Sequence, residues 1–202
     1  MRRLLWDVDT QVDFVHADGK LAVPGAEAVV PAMARLVDAA RAAGLPHVAS
    51  ADDHELSDDE ISAEPDFSLT YPPHCLRGTP GAEKVAATTQ RDPVPLALTN
   101  VDARWLEGRE FLLLKKSFDV FTNPHADVLL ELLDPEEIVL FGVATDVCDD
   151  AAVRGLRARG RNVTFVEDAS RGLDAARSAA CVDDWRKLGA RIATTEEVLA
   201  EW

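Results

Sequence analysis

Cysteine is scarce in this 202-residue chain. Its three cysteines, Cys75, Cys148 and Cys181, form no CxxC pair. An odd number of cysteines without a metal-type or redox-type spacing argues against a disulfide framework and against a thioredoxin-type site. At least one thiol is therefore expected to be free.

Long apolar runs are missing as well. No stretch reaches the roughly 18 apolar residues that a membrane span needs. The apolar run near the N-terminus is interrupted by Asp7 and Asp9, which is too early for a signal peptide. We therefore expect a cytoplasmic protein without a membrane span.

Positive charge is in the minority. The chain has 21 lysines and arginines against 36 aspartates and glutamates, and its formal net charge is -15. Such a surface repels the phosphates of nucleic acids and anionic lipid headgroups, so neither is expected as a partner. On composition alone, the acidic stretch DDHELSDDE at residues 52–60 is interpreted as solvated surface.

Three common catalytic motifs are absent too. The sequence has no glycine-rich phosphate loop, no HExxH and no GxSxG. These absences argue against a nucleotide-binding fold, a zincin and an α/β-hydrolase.

What the chain does contain is an alternation of short apolar segments with helical patterns. Six segments are predicted to be strands, at residues 2–8, 45–51, 110–116, 137–144, 162–168 and 190–195. Helical periodicity runs from Val29 to Ala40 and ends at Gly44, with further helices predicted at about 124–133, 146–159, 173–188 and 195–201. The alternation predicts one α/β domain, residues 1–202, with a mostly parallel six-stranded sheet and helices on both faces. Residues 52–108 show little periodicity and are predicted to be a functional or disordered loop.

Cys148 follows the fourth apolar segment and lies just inside the predicted helix at 146–159. Ligands of open parallel sheets bind beyond the carboxyl ends of the strands. There, the positive end of the helix dipole would lower the pKa of the thiol, and free backbone N–H groups could bind an oxyanion. The residue is therefore a candidate nucleophile, although a lone cysteine is more often a small hydrophobic residue of the core.

Ionisable side chains end two other predicted strands. Asp9 ends the first strand, where a carboxylate beside a thiol can take its proton and return it to a leaving amine. The alternative is that Asp7, Asp9 and Asp13 cap the next turn or face solvent. Lys115 or Lys116 could stabilise a thiolate if it emerges near the sulfur, but lysines at strand ends are usually solvated.

Two histidines and an aspartate form a candidate metal site. Asp52 and His54 lie two residues apart on an extended segment and point the same way, and His74 could complete a facial set with open positions. Zn²⁺, Fe²⁺ or Mn²⁺ suits such ligands. Glu64 and Asp66 lie in the same loop, but neither is clearly a fourth ligand. The alternative is that one histidine lies on the surface of an acidic loop and the other in a turn after two prolines.

The stretch LLWDVDT also resembles the aspartate-nucleophile motif of haloacid-dehalogenase-type phosphatases. In that alignment Gln11 stands where those enzymes have Thr or Val, and an acidic surface does not recruit phosphate esters. The hypothesis also leaves Cys148 and the histidines without a role.

Five segments in order resemble the isochorismatase-like cysteine hydrolases, and among them the nicotinamidases. They are DVDTQVDF, ADDHE, YPPHCLRGTPG, LLLKKSFDVF and GVATDVCDDAAVRGLRARG, and the resemblance runs from residue 4 to about 172. It implies the same α/β fold that the periodicity predicts. It also implies a homo-oligomer that acts on a small-molecule amide.

By this resemblance, Asp9, Lys115 and Cys148 form a catalytic triad. Lys115 is preferred over Lys116 because it lies six residues before Phe121, as in the family spacing. The nucleophile of such a triad attacks the carbonyl carbon of the substrate.

The segment GVAT is implied to form the oxyanion hole. The family places a cis peptide bond here between Val143 and Ala144 and uses the backbone N–H groups of Ala144 and Cys148 as donors. Three residues are implied to bind the substrate: Phe14, Tyr71 and Val143.

The metal site of the nicotinamidases maps onto Asp52, His54 and His74. Zinc is the expected ion, with iron or manganese as alternatives. The implied role of the metal is to orient a pyridine-ring nitrogen or a carboxamide-bearing ring against the triad.

The implied function is that of a metal-containing cysteine amidohydrolase. It would convert nicotinamide, or a similar small carboxamide, to the acid and ammonia through a Cys148 thioester, which a metal-bound or Asp9-activated water hydrolyses. Two other hypotheses stay open. The chain could be a related hydrolase of another small amide or carbamoyl compound, or a non-catalytic binding member of the fold.

Overall fold

A parallel β-sheet forms the centre of the computed structural model, which describes residues 2–99 and 108–202. The strands in chain order are β1 (Arg3–Val8), β2 (His47–Asp52), β3 (Val94–Leu96), β4 (Glu110–Lys115), β5 (Glu137–Gly142), β6 (Val163–Val166) and β7 (Arg191–Ala193). They lie side by side in the order β3-β4-β2-β1-β5-β6-β7, and every neighbouring pair is parallel. The predicted α/β fold with a mostly parallel sheet is confirmed.

The predicted number of strands was wrong, because the described residues form seven strands instead of six. The additional strand, β3, is only three residues long, contains Pro95 and pairs with β4 at the edge of the sheet. A three-residue strand shows little alternation, and proline is tolerated only at sheet edges, so the segment resembles a loop in the sequence.

Helices follow most of the strands. They are α1 (Val12–Val15), α2 (Val30–Ala42), α3 (His125–Leu133), α4 (Cys148–Ala158), α5 (Ala175–Lys187) and α6 (Thr195–Leu199). The apolar spacing that predicted α2 also forms its buried face, with Met33, Leu36, Val37 and Ala40 turned inward. The helices predicted farther along the chain agree with α3, α4, α5 and α6 to within a few residues.

Each face of the sheet has its own apolar core. On one face, Leu4, Trp6 and Val8 of β1 pack in a cluster with buried residues of α3, α4 and α5. On the other face, Leu5 belongs to a cluster with α2 and α6. Successive side chains of a strand point to opposite faces, so strands covered on both sides read as continuous apolar runs.

The carboxyl ends of four central strands meet at one edge. Asp52 of β2 lies beside Lys115 of β4, and Val8 of β1 lies beside Gly142 of β5. A Cβ atom on Gly142, whose φ is +154°, would lie 2.2 Å from the carbonyl oxygen of Val8. Only glycine permits this close approach, which brings the end of β1 against the turn that precedes α4.

The long segment at 52–108 is structured in its described part. His54 pairs with Leu76, and Ile61 pairs with Tyr71, as isolated bridges. Residues 100–107 of the segment lie outside the described residues. In the described parts of the chain, no helix is long and apolar enough to cross a membrane.

Candidate active site

Asp9, Lys115 and Cys148 come together at the carboxyl edge of the sheet. The Lys115 ammonium lies 2.9 Å from the Asp9 carboxylate and 3.9 Å from the Cys148 sulfur. The Ser50 hydroxyl donates a hydrogen bond of 2.6 Å to the other Asp9 oxygen. Asp9 and Lys115 are completely buried, and Cys148 retains 9% exposure. Two side chains from distant parts of the sequence, Asp9 and Lys115, therefore lie beside the Cys148 sulfur.

The two lysines that end β4 have different partners. Lys115 is completely buried and contacts Asp9, Asp52 and Cys148. Lys116, which is half-buried, contacts the Asp58 carboxylate at 2.8 Å. Neighbouring residues of a strand point to opposite sides, so only Lys115 reaches the sulfur.

The Cys148 thiol does not have the lowered pKa that its position at the start of α4 predicted. Burial raises its pKa well above the ordinary value, and the nearby Asp9 and Asp52 carboxylates add to this effect, which Lys115 only partly offsets. The desolvation of a thiolate and two neighbouring negative charges outweigh a helix dipole and one lysine. The resting thiol is therefore protonated.

Burial also raises the pKa of Asp9, and the Asp52 carboxylate contributes to the increase against the effect of Lys115. Although burial by itself disfavours the charged lysine, Asp52 and Asp9 raise the pKa of Lys115 well above its ordinary value. The lysine is thus a permanent cation between two carboxylates. A proton moving from the thiol to Asp9 would stay beside this cation.

The turn between β5 and α4 presents backbone donors next to the sulfur. The peptide bond between Val143 and Ala144 is cis, as predicted. The Ala144 carbonyl accepts from Val147 and Asp149. In residues 2–99 and 108–202, the N–H groups of Ala144 and Cys148 donate to no other protein group. Two free donors at a helix start suit an oxyanion.

A cluster of possible metal ligands lies beside Lys115. Asp52, His54, Glu60 and His74 are all buried, and one ligand atom from each lies within 4.8 Å of the others. The Nε2 atoms of His54 and His74 lie 3.7 and 3.5 Å from one oxygen of Asp52. The predicted triplet is therefore brought together, with one residue added.

Glu60 is the residue that the sequence interpretation missed. Neither Glu64 nor Asp66, the acids considered in this loop, belongs to the cluster. Asp66 instead accepts hydrogen bonds from three backbone N–H groups in a local turn. Glu60 lies six residues after His54 in a run of acids, so no spacing distinguishes it from its neighbours.

The interpretation of residues 52–60 as solvated surface was therefore wrong for several of its members. Asp52 is almost completely buried, and Glu60 is 8% exposed. Asp58 lies 3.2 Å from Nδ1 of His54 and also binds Lys116. Charged side chains are buried here because they bind one another, which a composition argument does not detect.

The ligand atoms fit a divalent cation. Nδ1 of His54 faces Asp58, and Nδ1 of His74 donates to the Pro72 carbonyl at 2.8 Å, so both Nε2 atoms point inward. Nε2 of His54 is buried and has no hydrogen-bond partner among the described residues. Burial and the Asp52 carboxylate raise the pKa of Glu60. Two imidazoles and two carboxylates therefore form a ligand set for a borderline metal ion, with Nε2 of His54 turned into the cluster.

Asp52 connects the cluster with the triad. One of its oxygens contacts the Lys115 ammonium and the other faces the two imidazoles. Burial by itself would raise the pKa of Asp52, but the Lys115 charge and the hydrogen bonds of His54 and His74 hold it far below its usual range. The carboxylate is therefore charged and shared by both halves of the site.

A narrow, mostly apolar pocket leads to the sulfur. It is lined by the three residues predicted to bind substrate, Phe14, Tyr71 and Val143, and also by Cys148, Asp52, Glu60 and His74. The ring of Phe14 lies 5.3 Å from that of His74, and the ring of Tyr71 lies 6.3 Å from it. The pocket thus joins aromatic walls, possible metal ligands and the thiol.

The other two aspartates of the first motif lie in separate hydrogen-bonded clusters. Asp7 contacts Lys84 at 2.7 Å and accepts from Thr10 at 2.8 Å. Asp13 accepts from the backbone N–H groups of Lys20 and Cys75. A phosphatase of the haloacid-dehalogenase type would need both Asp7 and Asp9 at its site, and the structure separates them into different ionic clusters.

The chain belongs to the isochorismatase domain family, which matches residues 4–197. The match extends beyond residue 172, where the recognisable motifs end. The predicted family is confirmed, and with it the fold class.

Individual relatives cover almost the whole chain. A nicotinamidase/pyrazinamidase of Mycobacterium tuberculosis is 29% identical over 91% of this chain and 94% of its own length. A probable inactive nicotinamidase of Arabidopsis thaliana is 24% identical over 94% of this chain and 91% of its own length. The solved pyrazinamidase of Pyrococcus horikoshii in complex with zinc has a TM-score of 0.76 and 20% identity, covering 96% and 99% of the two chains.

Proposed function

We propose that the chain is a metal-containing cysteine amidohydrolase of the nicotinamidase type. It hydrolyses nicotinamide, or a similar small carboxamide, to the acid and ammonia. The observation that carries the proposal is the meeting of Asp9, Lys115 and Cys148 at the end of a pocket whose wall contains the Asp52, His54, Glu60 and His74 cluster. Family membership and a nicotinamidase relative support the class of reaction, cleavage of a linear amide C–N bond.

The first step is attack of the sulfur on the carboxamide carbon. As the C–S bond forms, the thiol proton passes to Asp9, because the raised pKa of this carboxyl makes it a better acceptor than an ordinary aspartate. Lys115 stays charged and stabilises the anionic state of its two neighbours. The negative charge on the carbonyl oxygen is bound by the N–H groups of Ala144 and Cys148.

The second step releases ammonia and leaves a thioester. Asp9 returns its proton to the leaving amide nitrogen as the C–N bond breaks, and it is then a carboxylate again. Asp9 next removes a proton from water, whose oxygen attacks the thioester carbon. The C–S bond then breaks, and Asp9 returns that proton to the Cys148 sulfur. The products are the acid and the free Cys148 thiol, so protons and bonds balance over the cycle.

The metal site would be formed by Asp52, His54, Glu60 and His74. A bound divalent cation would supply a Lewis acid that orients a ring nitrogen or amide of the substrate in the pocket. The solved pyrazinamidase of similar fold is a complex with zinc, which supports zinc as the first ion to test, with iron and manganese as alternatives.

The pocket walls support a small, flat substrate. We assign Phe14, Tyr71 and Val143 to substrate binding because they line the pocket together with Cys148. Three expectations of the sequence stay predictions: one hydrolase domain over residues 1–202, a homo-oligomer and a cytoplasmic location.

Replacement of the nucleophile tests the proposal directly. Purified protein is incubated with nicotinamide, with and without added Zn²⁺, Fe²⁺ or Mn²⁺, and ammonia is measured. Cys148→Ala should release none while its thermal unfolding stays close to that of the unchanged protein. Turnover by the Cys148→Ala variant would remove the thiol from the mechanism.

A panel of substrates separates the remaining functions. Ammonia from another amide or a carbamoyl compound, but not from nicotinamide, would favour the related hydrolase. A protein that binds these compounds, releases no ammonia with any metal and has a Cys148 that resists alkylation would be a non-catalytic binding member of the fold.

A further inference from the structure

The side chain of Gln11 is completely buried beside the site, and the proposed reaction gives it no task. Its Oε1 accepts a hydrogen bond of 2.7 Å from the backbone N–H of Asp52. Its Nε2 donates to the backbone carbonyls of Asp52 and Ala82, both at 2.8 Å. One side-chain amide thus binds both backbone groups of Asp52.

These hydrogen bonds take the place of backbone pairing with β1, which ends before it reaches Asp52. The pairing of β1 with β2 stops at Val8 and Ser50, followed by a last bond of 3.2 Å from the Asp9 N–H to the Ser50 carbonyl. Asp9 then has a φ of +50°, and the chain turns away. Buried backbone groups need partners, so the Gln11 amide takes the place of β1 beside Asp52.

The orientation of Asp52 matters to both halves of the site. Its carboxylate contacts the Lys115 ammonium with one oxygen and faces His54 and His74 with the other. A change in the backbone of Asp52 would move both contacts together. Residues that do not bind the metal but hold one of its ligands in place typically affect the affinity of the site for metal.

We propose that Gln11 is a positioning residue, which holds the backbone of Asp52 so that one carboxylate serves the triad lysine and the metal site at once. This inference rests on the proposed function. Gln11 acts through Asp52 and touches neither the substrate pocket nor the sulfur.

Gln90, which binds the other end of β2, provides a matched control. It is also buried, and its Nε2 donates to the carbonyls of His47 and Phe111 at 2.9 and 3.1 Å. His47 begins β2, five residues before Asp52, which is about 17 Å at the usual rise of a strand. Each glutamine thus donates two hydrogen bonds from its Nε2 to backbone carbonyls, Gln11 at the carboxyl end of β2 and Gln90 at its start.

The test compares Gln11→Met with Gln90→Met, each of which keeps the length of the side chain and removes its amide. Metal-free protein is titrated with Co²⁺ and followed by absorption, kcat and KM for nicotinamide are measured at saturating metal, and thermal unfolding is recorded. Both variants should unfold at a lower temperature. Gln11→Met alone should lose about 10-fold to 100-fold in Co²⁺ affinity and should also have a lower kcat.

The results separate the inference from the proposed function. Unchanged Co²⁺ affinity and kcat in Gln11→Met, or an equal loss in Gln90→Met, would overturn the positioning role while ammonia release by the unchanged protein upholds the reaction. If the unchanged protein neither binds Co²⁺ nor releases ammonia, both are wrong. If Gln11→Met does not fold, Gln11→Glu replaces it with the same expectations, because it keeps one acceptor and loses both donor bonds.

Discussion

Asp7 and Asp9 are two residues apart, both completely buried and both within 3 Å of a lysine ammonium, yet their surroundings shift their pKa values in opposite directions. Burial alone would raise both. Lys84 and His47 lower the pKa of Asp7 below its ordinary value. For Asp9, burial raises the pKa and the Asp52 carboxylate adds to the increase, which Lys115 only partly offsets.

The difference shows that the number of carboxylates sharing one cation affects the pKa of a buried acid, in addition to burial and to the presence of a cation. The Asp7 cluster is a closed ion pair whose Thr10 hydroxyl supplies an additional hydrogen bond. In the Asp9 cluster, the single cation Lys115 is shared by two carboxylates. This cluster also includes the Cys148 thiol, whose raised pKa opposes ionisation. The first cluster is suited to hold the fold and the second to transfer a proton.

The largest expected effect is on activity and separates the two aspartates. Asp9→Asn should lower kcat by about 10³-fold or more, because an amide cannot accept the thiol proton. Asp7→Asn, assayed as folded protein, should stay within about tenfold of the unchanged protein in kcat. Ammonia release at saturating nicotinamide measures both, and equal losses would show that Asp7 also takes part in the chemistry.

The second effect is on stability, where Asp7→Asn should cause a larger loss than Asp9→Asn. Asp7→Asn should lower the free energy of unfolding by about 3 kcal/mol, because it leaves the buried Lys84 ammonium without its anion. Asp9→Asn should cost less, since Lys115 keeps Asp52 as a partner. Urea unfolding of both variants at neutral pH provides the measurement. A larger loss in Asp9→Asn would contradict the assignment of a structural pair to Asp7.

The third effect extends the comparison to the metal side of the site. Glu60→Gln should weaken Co²⁺ or Zn²⁺ binding by about tenfold or more, because a neutral amide is a poorer ligand than a carboxylate. Asp58→Asn should weaken it less, since Asp58 contacts the far nitrogen of His54. Titration of metal-free protein checks both. Unchanged affinity in Glu60→Gln would exclude Glu60 from the ligand set.

The smallest effect is the pH dependence of stability in metal-free protein. Because the pKa of Asp7 is lowered, this residue stabilises the fold at pH values above 3.8, the ordinary pKa of an aspartate. That stability is lost as the pH falls through the lowered pKa. A raised pKa means that the contribution of Asp9 is complete below 3.8 and is lost as the pH rises through the raised pKa.

As the pH rises to about 4, the stability of Asp7→Asn relative to the unchanged protein should therefore fall, and from pH 4 to 7 it should stay level. That of Asp9→Asn should rise. Urea unfolding at several pH values measures the two slopes, and slopes of the same sign would contradict the comparison.

Much of the site could be predicted because its residues follow short apolar segments. Asp9, Lys115 and Cys148 stand at the carboxyl ends of β1, β4 and β5, and parallel strands bring such ends together. Asp52 and His54 share a spacing that places them on one side of an extended segment. The strand β3 and the metal-ligand candidate Glu60 had no comparable pattern, because one is too short and the other lies among similar acids.

The sequence by itself determined the order of six of the seven described strands and of helices α2 to α6, the family and the chemical types at the strand ends, because periodicity and spacing are local properties. Only the tertiary structure decided the raised pKa of Cys148 and the opposite pKa shifts of Asp7 and Asp9. It also decided that Gln11 binds the backbone of Asp52. Burial and the count of neighbouring charges depend on residues far apart in the chain, and no local pattern contains them.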